Sequence, residues 1–178
     1  RAAVAYRHRR RHDLPNGKNA YGTGCTKLAY LPRAADPVIG KAVFAAKCQS
    51  CHGPHGEGKQ LADGREYQYP PLWGKHSYND GAGLYRVTNL ARYVKAAMPF
   101  GAAFDHPQLT DEQAWDVAAF VNSQPRPHLN TPRDWPDISK KPVDHPFGPY
   151  TDSFSERQHK YGPYQPIEDA HPQLAKAK

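Results

Sequence analysis

The chain has 178 residues, a formal charge of +7 and a pI near 9.3. This length suits one domain with appendages and excludes two domains of ordinary size. A mean hydropathy of −0.86, with 18 prolines and 14 glycines, excludes an all-helical bundle and leaves only part of the chain able to form a core. No apolar run approaches the roughly 20 residues of a membrane span, so no membrane span is expected. The positive charge favours an anionic partner, such as an acidic protein.

Residues 1–36 are predicted to form a basic lead-in arm. The tract YRHRRRH at residues 6–12 carries much of the charge, and LPNGKNAYGTG at residues 14–24 contains turn-forming Asn-Gly and Gly-x-Gly steps. No aromatic platform or motif accompanies the basic tract, so we expect a solvated charged segment and no nucleic-acid partner.

Three helices are predicted in residues 37–124, and the first is in ADPVIGKAVFAAKC. Asp36 is a good N-cap and Pro37 suits the first helical position, where a missing N–H costs nothing. The helix is expected to run directly into Cys48. Its expected apolar stripe consists of Val38, Ile39, Val43 and Phe44.

The other two helices are in TNLARYVKAAMP and LTDEQAWDVAAFVNSQ. The shorter one is expected to be capped by Thr88 or Asn89 and to end just before Pro99. In the longer one, Thr110 and Gln113 have the spacing of a capping box. Its expected core face is formed by Ala114, Trp115, Val117, Ala118 and Val121, widened by Phe120.

Residues 125–178 have so many prolines that no helix or central strand is expected there. The same segment carries a tryptophan and several phenylalanines and tyrosines, which argues against a disordered tail. We therefore predict a structured wrap that lies over the domain surface or over a neighbouring subunit.

The stretch KCQSCHGPHGEG, residues 47–58, places Cys48, Cys51 and His52 in a CxxCH motif. A structural zinc site usually needs four ligands, and the sequence has no second Cys pair. A thioredoxin-like redox pair should open a helix after a strand, whereas this pair follows a predicted helix and precedes glycines. Haem attachment uses all three residues, because both thiols bind the haem vinyl groups and the imidazole coordinates the iron. The motif therefore predicts one covalent haem c with His52 as an iron ligand.

Met98, the one methionine of the sequence, is the candidate second iron ligand. It follows a predicted helix and precedes Pro99 and Gly101, where a loop can return across the other haem face. A thioether opposite an imidazole raises the reduction potential relative to two nitrogen ligands. With both axial positions filled, the expected chemistry is outer-sphere electron transfer. A core-filling role is the alternative for Met98, and rival ligands in principle are His55, His76, His106 and, at high pH, Lys95.

The segment YPPLWGKHSYNDGAG, residues 69–83, is the candidate haem wall. The pair Pro70 and Pro71 fixes an extended backbone, from which a carbonyl can accept the His52 ring N–H and orient the ligand. Leu72 and Trp73 are the candidate residues of the haem wall. Trp73 is also a candidate contact of the haem propionates, together with Tyr78 and Asn79. Ordinary loop packing is the alternative for each of these residues.

The helix before CQSCH, the Pro-Leu-x-Gly loop, AAMP and the final LTDEQAWDVAAFVNS helix together resemble the class I c-type cytochromes over residues 37–124. YPPLWGKHSYNDGAG, VNSQPRPH, KPVDHPFGPY and FSERQHKYGPYQPI are similar to the second haem domain and C-terminal extension of the dihaem thiosulfate dehydrogenases. The resemblance implies a mainly α fold, with three or more helices around one covalent haem and irregular N-terminal and Pro-rich C-terminal arms.

In that family a first haem domain, with a cysteine thiolate as distal iron ligand, oxidises thiosulfate to tetrathionate, and the second haem domain exports the electrons. The present sequence has one CxxCH motif and so resembles the second part. We therefore expect a periplasmic mono-haem electron carrier linked to inorganic sulfur oxidation, with an acidic redox partner and no catalytic residues of its own.

Two alternatives remain. The first alternative is the electron-exit domain or subunit of a thiosulfate dehydrogenase whose haem-containing catalytic part is absent from this chain. The second alternative is a docking subunit of a larger redox complex, attached through the proline-rich arm. Cys25 is left over as an odd thiol, expected to be buried or in an intermolecular disulfide rather than an iron ligand.

Overall fold

The computed structural model describes residues 25, 28–103 and 105–170. The basic tract at residues 6–12 and the turn segment at 14–24 lie outside the described residues. The mainly α fold is confirmed. In chain order the elements are α1 (Pro37–Lys47), α2 (Gln49–His52), β1 (Lys59–Gln60), β2 (Tyr67–Tyr69), a first 3₁₀ turn (Gly83–Tyr85), α3 (Val87–Ala97), α4 (Asp111–Ser123), a second 3₁₀ turn (Ile138–Lys140), α5 (Glu156–Tyr161) and α6 (Gln165–Ala170).

Helix α1 begins as its sequence predicts. The Asp36 carboxylate accepts a 2.7 Å hydrogen bond from the Val38 N–H, and Pro37 is the first helical residue. The predicted apolar stripe is only half correct, because Val43 and Phe44 are buried whereas Val38 and Ile39 are 80 % and 48 % exposed. The buried face contains Gly40, which lies three and four positions before Val43 and Phe44 and therefore shares their side of the helix.

Helix α4 packs against both α1 and α3. The crossing with α1 is very close, since a Cβ added at Gly40 would lie 1.9 Å from the backbone oxygen of Asp116. Buried alanines at 114, 118 and 119 keep the α4 side of the core small and permit close helix approach. The two strands pair antiparallel as a short hairpin outside this helical core.

The sequence predicted the start of α4 correctly but not the cap at the start of α3. Thr110 and Gln113 form the predicted capping box, with reciprocal backbone-to-side-chain hydrogen bonds of 3.0 and 3.1 Å. Helix α3 begins at Val87 with no side-chain cap, so the predicted cap at Thr88 or Asn89 is wrong. The Thr88 hydroxyl donates instead to the Asp144 carboxylate, and the Asn89 amide donates to the Gly83 carbonyl.

The predicted core face of α4 is buried, and Phe120 at its margin is half-buried. The core also includes residues from the segment before α1, since Leu28 and Ala35 are each 4 % exposed. Trp115 lies at its centre, 1 % exposed, and its indole N–H donates to the Ala29 carbonyl.

Residues 125–170 pack back onto this core. The Ala35 N–H donates to the Tyr161 carbonyl at 2.8 Å, the Tyr30 hydroxyl donates to Glu168, and the Tyr164 ring lies 5.8 Å from that of Trp115. The expectation that this segment forms no helix is wrong for α5 and α6. These helices are short enough to fit between prolines, and Pro166 falls in the first turn of α6, where proline is tolerated.

Candidate haem-binding site

The CQSCH sequence lies at the end of α1 and forms the single turn α2. The Cys48 N–H continues the α1 ladder to the Phe44 carbonyl at 2.9 Å, and the His52 N–H bonds the Cys48 carbonyl at 3.0 Å. Cys48 and Cys51 are half-buried free thiols, and His52 is 8 % exposed. Two thiols and one imidazole are therefore held together on one short helical turn.

The His52 ring is oriented by the segment predicted to be the haem wall. Its Nδ1 lies 2.8 Å from the Pro70 carbonyl oxygen, which can only accept, so Nδ1 carries the proton. The expected hydrogen bond to this proline pair is thus present, with Pro70 as the acceptor. The lone pair of Nε2 remains for a metal, which is the usual arrangement of a metal-binding histidine.

Two glycines allow the loop after His52 to press directly against residues 69–73. Gly56 and Gly58 have positive φ values of 61° and 76°. An added Cβ would lie 2.4 Å from the Trp73 ring at Gly56 and 2.5 Å from the Tyr69 carbonyl oxygen at Gly58. The Leu72 N–H also donates to the Gly56 carbonyl at 2.8 Å. This close contact fixes the distance between the histidine turn and its hydrogen-bond acceptor.

Trp73 connects the histidine loop to the helical core. Its ring centroid lies 5.0 Å from that of Phe44 on α1 and 5.6 Å from that of Phe120 on α4. Leu72 is half-buried against the same core, and Pro71 is buried. These residues form an apolar wall that continues from the CQSCH turn.

Tyr78 and Asn79 have different surroundings. The Tyr78 hydroxyl donates to the Asn122 side-chain oxygen at 2.9 Å, and burial raises the pKa of Tyr78 while the Arg126 charge opposes that rise. The Asn79 side chain accepts from the Gly81 N–H at 3.0 Å and so closes a local turn. The structure places Tyr78 against the α4 core and gives Asn79 a turn-forming contact.

Asn122 was missed by sequence reasoning, although it bonds Tyr78, one of the predicted site residues. Its side-chain NH₂ group donates to the Leu84 and Tyr85 carbonyls, both at 2.9 Å, while its oxygen accepts from Tyr78. The residue is fully buried in α4. A polar residue directly after the apolar AAFV sequence, on a helix with a buried face, was the signal that could have revealed it.

Met98 lies at the C-terminal end of α3, where its N–H bonds the Val94 carbonyl, and it is half-buried. Of the rival ligands, His55, His76 and His106 are exposed. The Lys95 ammonium is engaged elsewhere, because it donates to the Leu109 carbonyl at 2.6 Å and pairs with Asp111 at 2.7 Å.

The donor set of the CQSCH turn fits haem c better than it fits zinc. Among residues 25, 28–103 and 105–170, no group of three or more His, Cys, Asp or Glu side chains is placed to hold a metal ion. Burial, with a smaller contribution from Cys51, raises the pKa of the Cys48 thiol to about 11. The pair also follows a helix and not a strand, unlike a thioredoxin-like redox pair.

Cys25, the third cysteine, is exposed, so of its two expected alternatives the buried one is wrong. Within the described part of the chain, no helix is long and apolar enough to cross a bilayer.

Comparison with known proteins agrees with the assignment of the CQSCH turn as a haem-binding site. The family model described as cytochrome c matches residues 38–125. Cytochrome c6 of Thermosynechococcus vestitus is 35 % identical over 91 residues, which are 51 % of this chain and 72 % of that protein. The chain therefore belongs to the cytochrome c family, as a class I c-type cytochrome, and this membership implies a covalent haem c.

Within this family the chain is close to the haem domains of thiosulfate dehydrogenases. The thiosulfate dehydrogenase of Allochromatium vinosum is 43 % identical over 129 residues, which are 72 % of this chain and 46 % of that enzyme. A solved thiosulfate dehydrogenase from Marichromatium purpuratum, in its as-isolated form, superposes with a TM-score of 0.53 at 40 % identity, over 65 % of this chain and 23 % of that one. The chain thus spans less than half the length of the dehydrogenases that it matches.

Proposed function

We propose that this chain is a mono-haem cytochrome c that transfers single electrons in the periplasm, in a process of inorganic sulfur oxidation. The observation that carries this proposal is the His52 ring, fixed through Nδ1 to Pro70 directly beside two free thiols. In such a site the haem iron supplies the chemistry, by alternating between ferric and ferrous states.

The roles of the residues follow from their positions. Cys48 and Cys51 would hold the haem through thioether bonds, and His52 would coordinate the iron through Nε2. Pro70 keeps the His52 ring in one orientation and tautomer. The apolar residues Leu72 and Trp73 would exclude water from one haem edge, which lowers the local dielectric constant. Pro71, Tyr78 and Asn79 complete the proposed cofactor-binding set.

Met98 is proposed as the residue that would supply the second iron ligand. It lies at the start of the 99–109 loop, and the rival Lys95 is held by Leu109 and Asp111 at the other end of that loop. If His52 and Met98 both held the iron, the haem would supply electron transfer, and the chain would pass electrons rather than transform a small molecule.

The link to sulfur oxidation rests on similarity to thiosulfate dehydrogenases over most of the chain. The net charge of +7 supports an acidic protein as electron acceptor or donor, because opposite charges accelerate encounter. A haem-containing catalytic subunit is proposed as a further partner.

A second candidate function is the electron-exit part of a thiosulfate dehydrogenase. It is favoured by the extent of the match, since the aligned region is 46 % of the A. vinosum enzyme. Docking through the proline-rich arm receives less support, because buried residues of that arm, including Tyr164 and Ile167, pack on the core of the same chain.

The proposed function is tested with the purified holoprotein. An intact mass and a pyridine haemochrome spectrum should show one covalently attached haem, and a mass without haem would refute the proposal. The isolated chain should accept electrons from a chemical reductant but should not turn over thiosulfate with ferricyanide. Turnover by the chain alone would show that it is a catalyst, and turnover only after addition of a catalytic haem domain would favour the second candidate.

A further inference from the structure

The His52 side chain is buried, but its hydrogen-bond acceptor belongs to an exposed residue. His52 is 8 % exposed, whereas Pro70, whose carbonyl oxygen lies 2.8 Å from Nδ1, is exposed. Water competes for a hydrogen bond at such a boundary and lowers its net contribution. A neighbouring group must therefore keep water away if this bond is to hold the ring in one orientation.

The ring of Tyr69 is the neighbouring group that packs on His52. The two ring centroids lie 6.2 Å apart and the ring planes meet at 62°, which is the geometry of an edge-to-face aromatic pair. A single hydrogen bond leaves the imidazole free to swing about the line from Nδ1 to the Pro70 oxygen, and a packed ring restricts that motion. Because Pro70 follows Tyr69 directly, one short segment supplies both contacts.

The hairpin of β1 and β2 holds Tyr69 in this position. Lys59 pairs with Tyr69, and the register then skips Gln68. This irregularity is a β-bulge, a feature that commonly turns a side chain towards a site. The residue before β1 is also fixed, because the Gly58 N–H donates to the His52 carbonyl at 2.8 Å. Both ends of the hairpin are therefore attached to the histidine turn.

We infer that Tyr69 is a positioning residue for His52, whose ring it orients and shields from water. The inference deepens the proposed haem function and rests on it. Groups around a metal-binding histidine control both its orientation and the access of solvent to the site. Ferric haem carries one positive charge more than ferrous haem, so water beside the ligand favours the ferric form. Loss of the Tyr69 ring should therefore lower the reduction potential.

The test compares Tyr69→Ala, Tyr69→Phe and Tyr67→Ala as holoproteins. Tyr67 is the matched control, because it lies on the same strand and is also half-buried, whereas Tyr69 makes the contact with His52. We expect Tyr69→Ala to lower the potential, to speed hydrogen exchange of the His52 Nδ1–H, and to change the spread of the haem methyl proton resonances, which reports the imidazole orientation. Tyr69→Phe keeps the ring and should resemble the wild type. Tyr67→Ala should change none of the three.

Three results with the variants would overturn the inference while leaving the haem function intact. One is a Tyr69→Ala holoprotein with attached haem but unchanged methyl resonances and Nδ1–H exchange. Another is an equal change in Tyr67→Ala. The third is a Tyr69→Phe protein that behaves like Tyr69→Ala, which would assign the effect to the hydroxyl and not to the ring.

The wild type supplies a measurement that does not depend on the folding of any variant. The ferrous holoprotein should show nuclear Overhauser effects between the ring protons of Tyr69 and those of His52. Their absence would show that the two rings are apart in solution and would overturn the inference. A chain that acquires no covalent haem would instead refute the proposed function.

Discussion

At the scale of single residues, Asn122 joins three segments through one amide group. Replacement by Ala would leave the Leu84 and Tyr85 carbonyls and the Tyr78 hydroxyl without this partner in a buried site. We expect Asn122→Ala to lower the free energy of unfolding by about 2–3 kcal/mol, because unmet buried hydrogen-bonding groups retain their desolvation cost. Guanidinium titration of the holoprotein measures this change.

Asn130 provides the control for Asn122, since it is the same residue type in an exposed position. Asn130→Ala should change the free energy of unfolding by less than about 0.5 kcal/mol. Equal effects of the two substitutions would contradict the structural role of Asn122.

The proposed iron ligand Met98 leads to a spectroscopic prediction. Met98→Ala should abolish the weak sulfur-to-iron absorption band of the ferric protein and lower its reduction potential, since a thioether ligand favours ferrous iron. Visible spectroscopy and a redox titration measure both effects. Phe100→Ala, two residues away at a position that is 88 % exposed, is the control and should change neither. A Met98→Ala spectrum identical to wild type would reject Met98 as a ligand.

At the scale of elements, the crossing of α1 and α4 depends on the absence of a side chain at Gly40. A Cβ there would lie 1.9 Å from the Asp116 oxygen and 2.9 Å from the Phe120 Cβ, so the helices would have to separate. Gly40→Ala should destabilise the fold by about 3 kcal/mol, the upper part of the range for overpacking. Thermal unfolding of the holoprotein measures the effect.

Gly83→Ala is the matched control for Gly40, because its nearest neighbour would be the Asn89 side-chain nitrogen, 3.9 Å from the added Cβ. We expect it to be close to neutral. A stable Gly40→Ala protein with an unchanged unfolding midpoint would show that the helix pair is looser than its geometry indicates.

At the same scale, sequence reasoning found elements whose signals are local. The Asp36 cap and the Thr110–Gln113 capping box depend on residues at most three positions apart, and both are present. The start of α3 was misjudged because the Thr88 hydroxyl, a potential cap, is used by Asp144 from a distant part of the chain. A long-range partner therefore overrode a local preference.

At the scale of the whole molecule, the proline-rich segment shares the core of the cytochrome domain. Ile167 is fully buried in α6, whereas Ile138 in the second 3₁₀ turn is 36 % exposed. Ile167→Ala should lower the free energy of unfolding by about 2–5 kcal/mol, and Ile138→Ala should have a much smaller effect, because only the former opens a cavity. Denaturant titrations of the two variants provide the comparison.

The same reasoning predicts how the molecule unfolds. Residues 125–170 and the helical core should lose structure in one transition, so fluorescence and haem absorbance should give coincident curves. A separate early transition for Ile167→Ala, with the haem signal retained, would show that the segment is an independent layer.

The sequence by itself determined the haem attachment motif, the ends of α1 and α4, the mainly helical fold and the family. The helix ends are encoded by residues close together in the chain. The haem attachment motif is encoded by cysteine and histidine at a spacing that few other kinds of site use. The tertiary structure decided that Gly40 and not Val38 faces α4, and that the Asn122 side chain bonds the Tyr78 hydroxyl and the Leu84 and Tyr85 carbonyls. Each of these contacts joins residues that lie far apart in the chain, so no local pattern in the sequence indicates them.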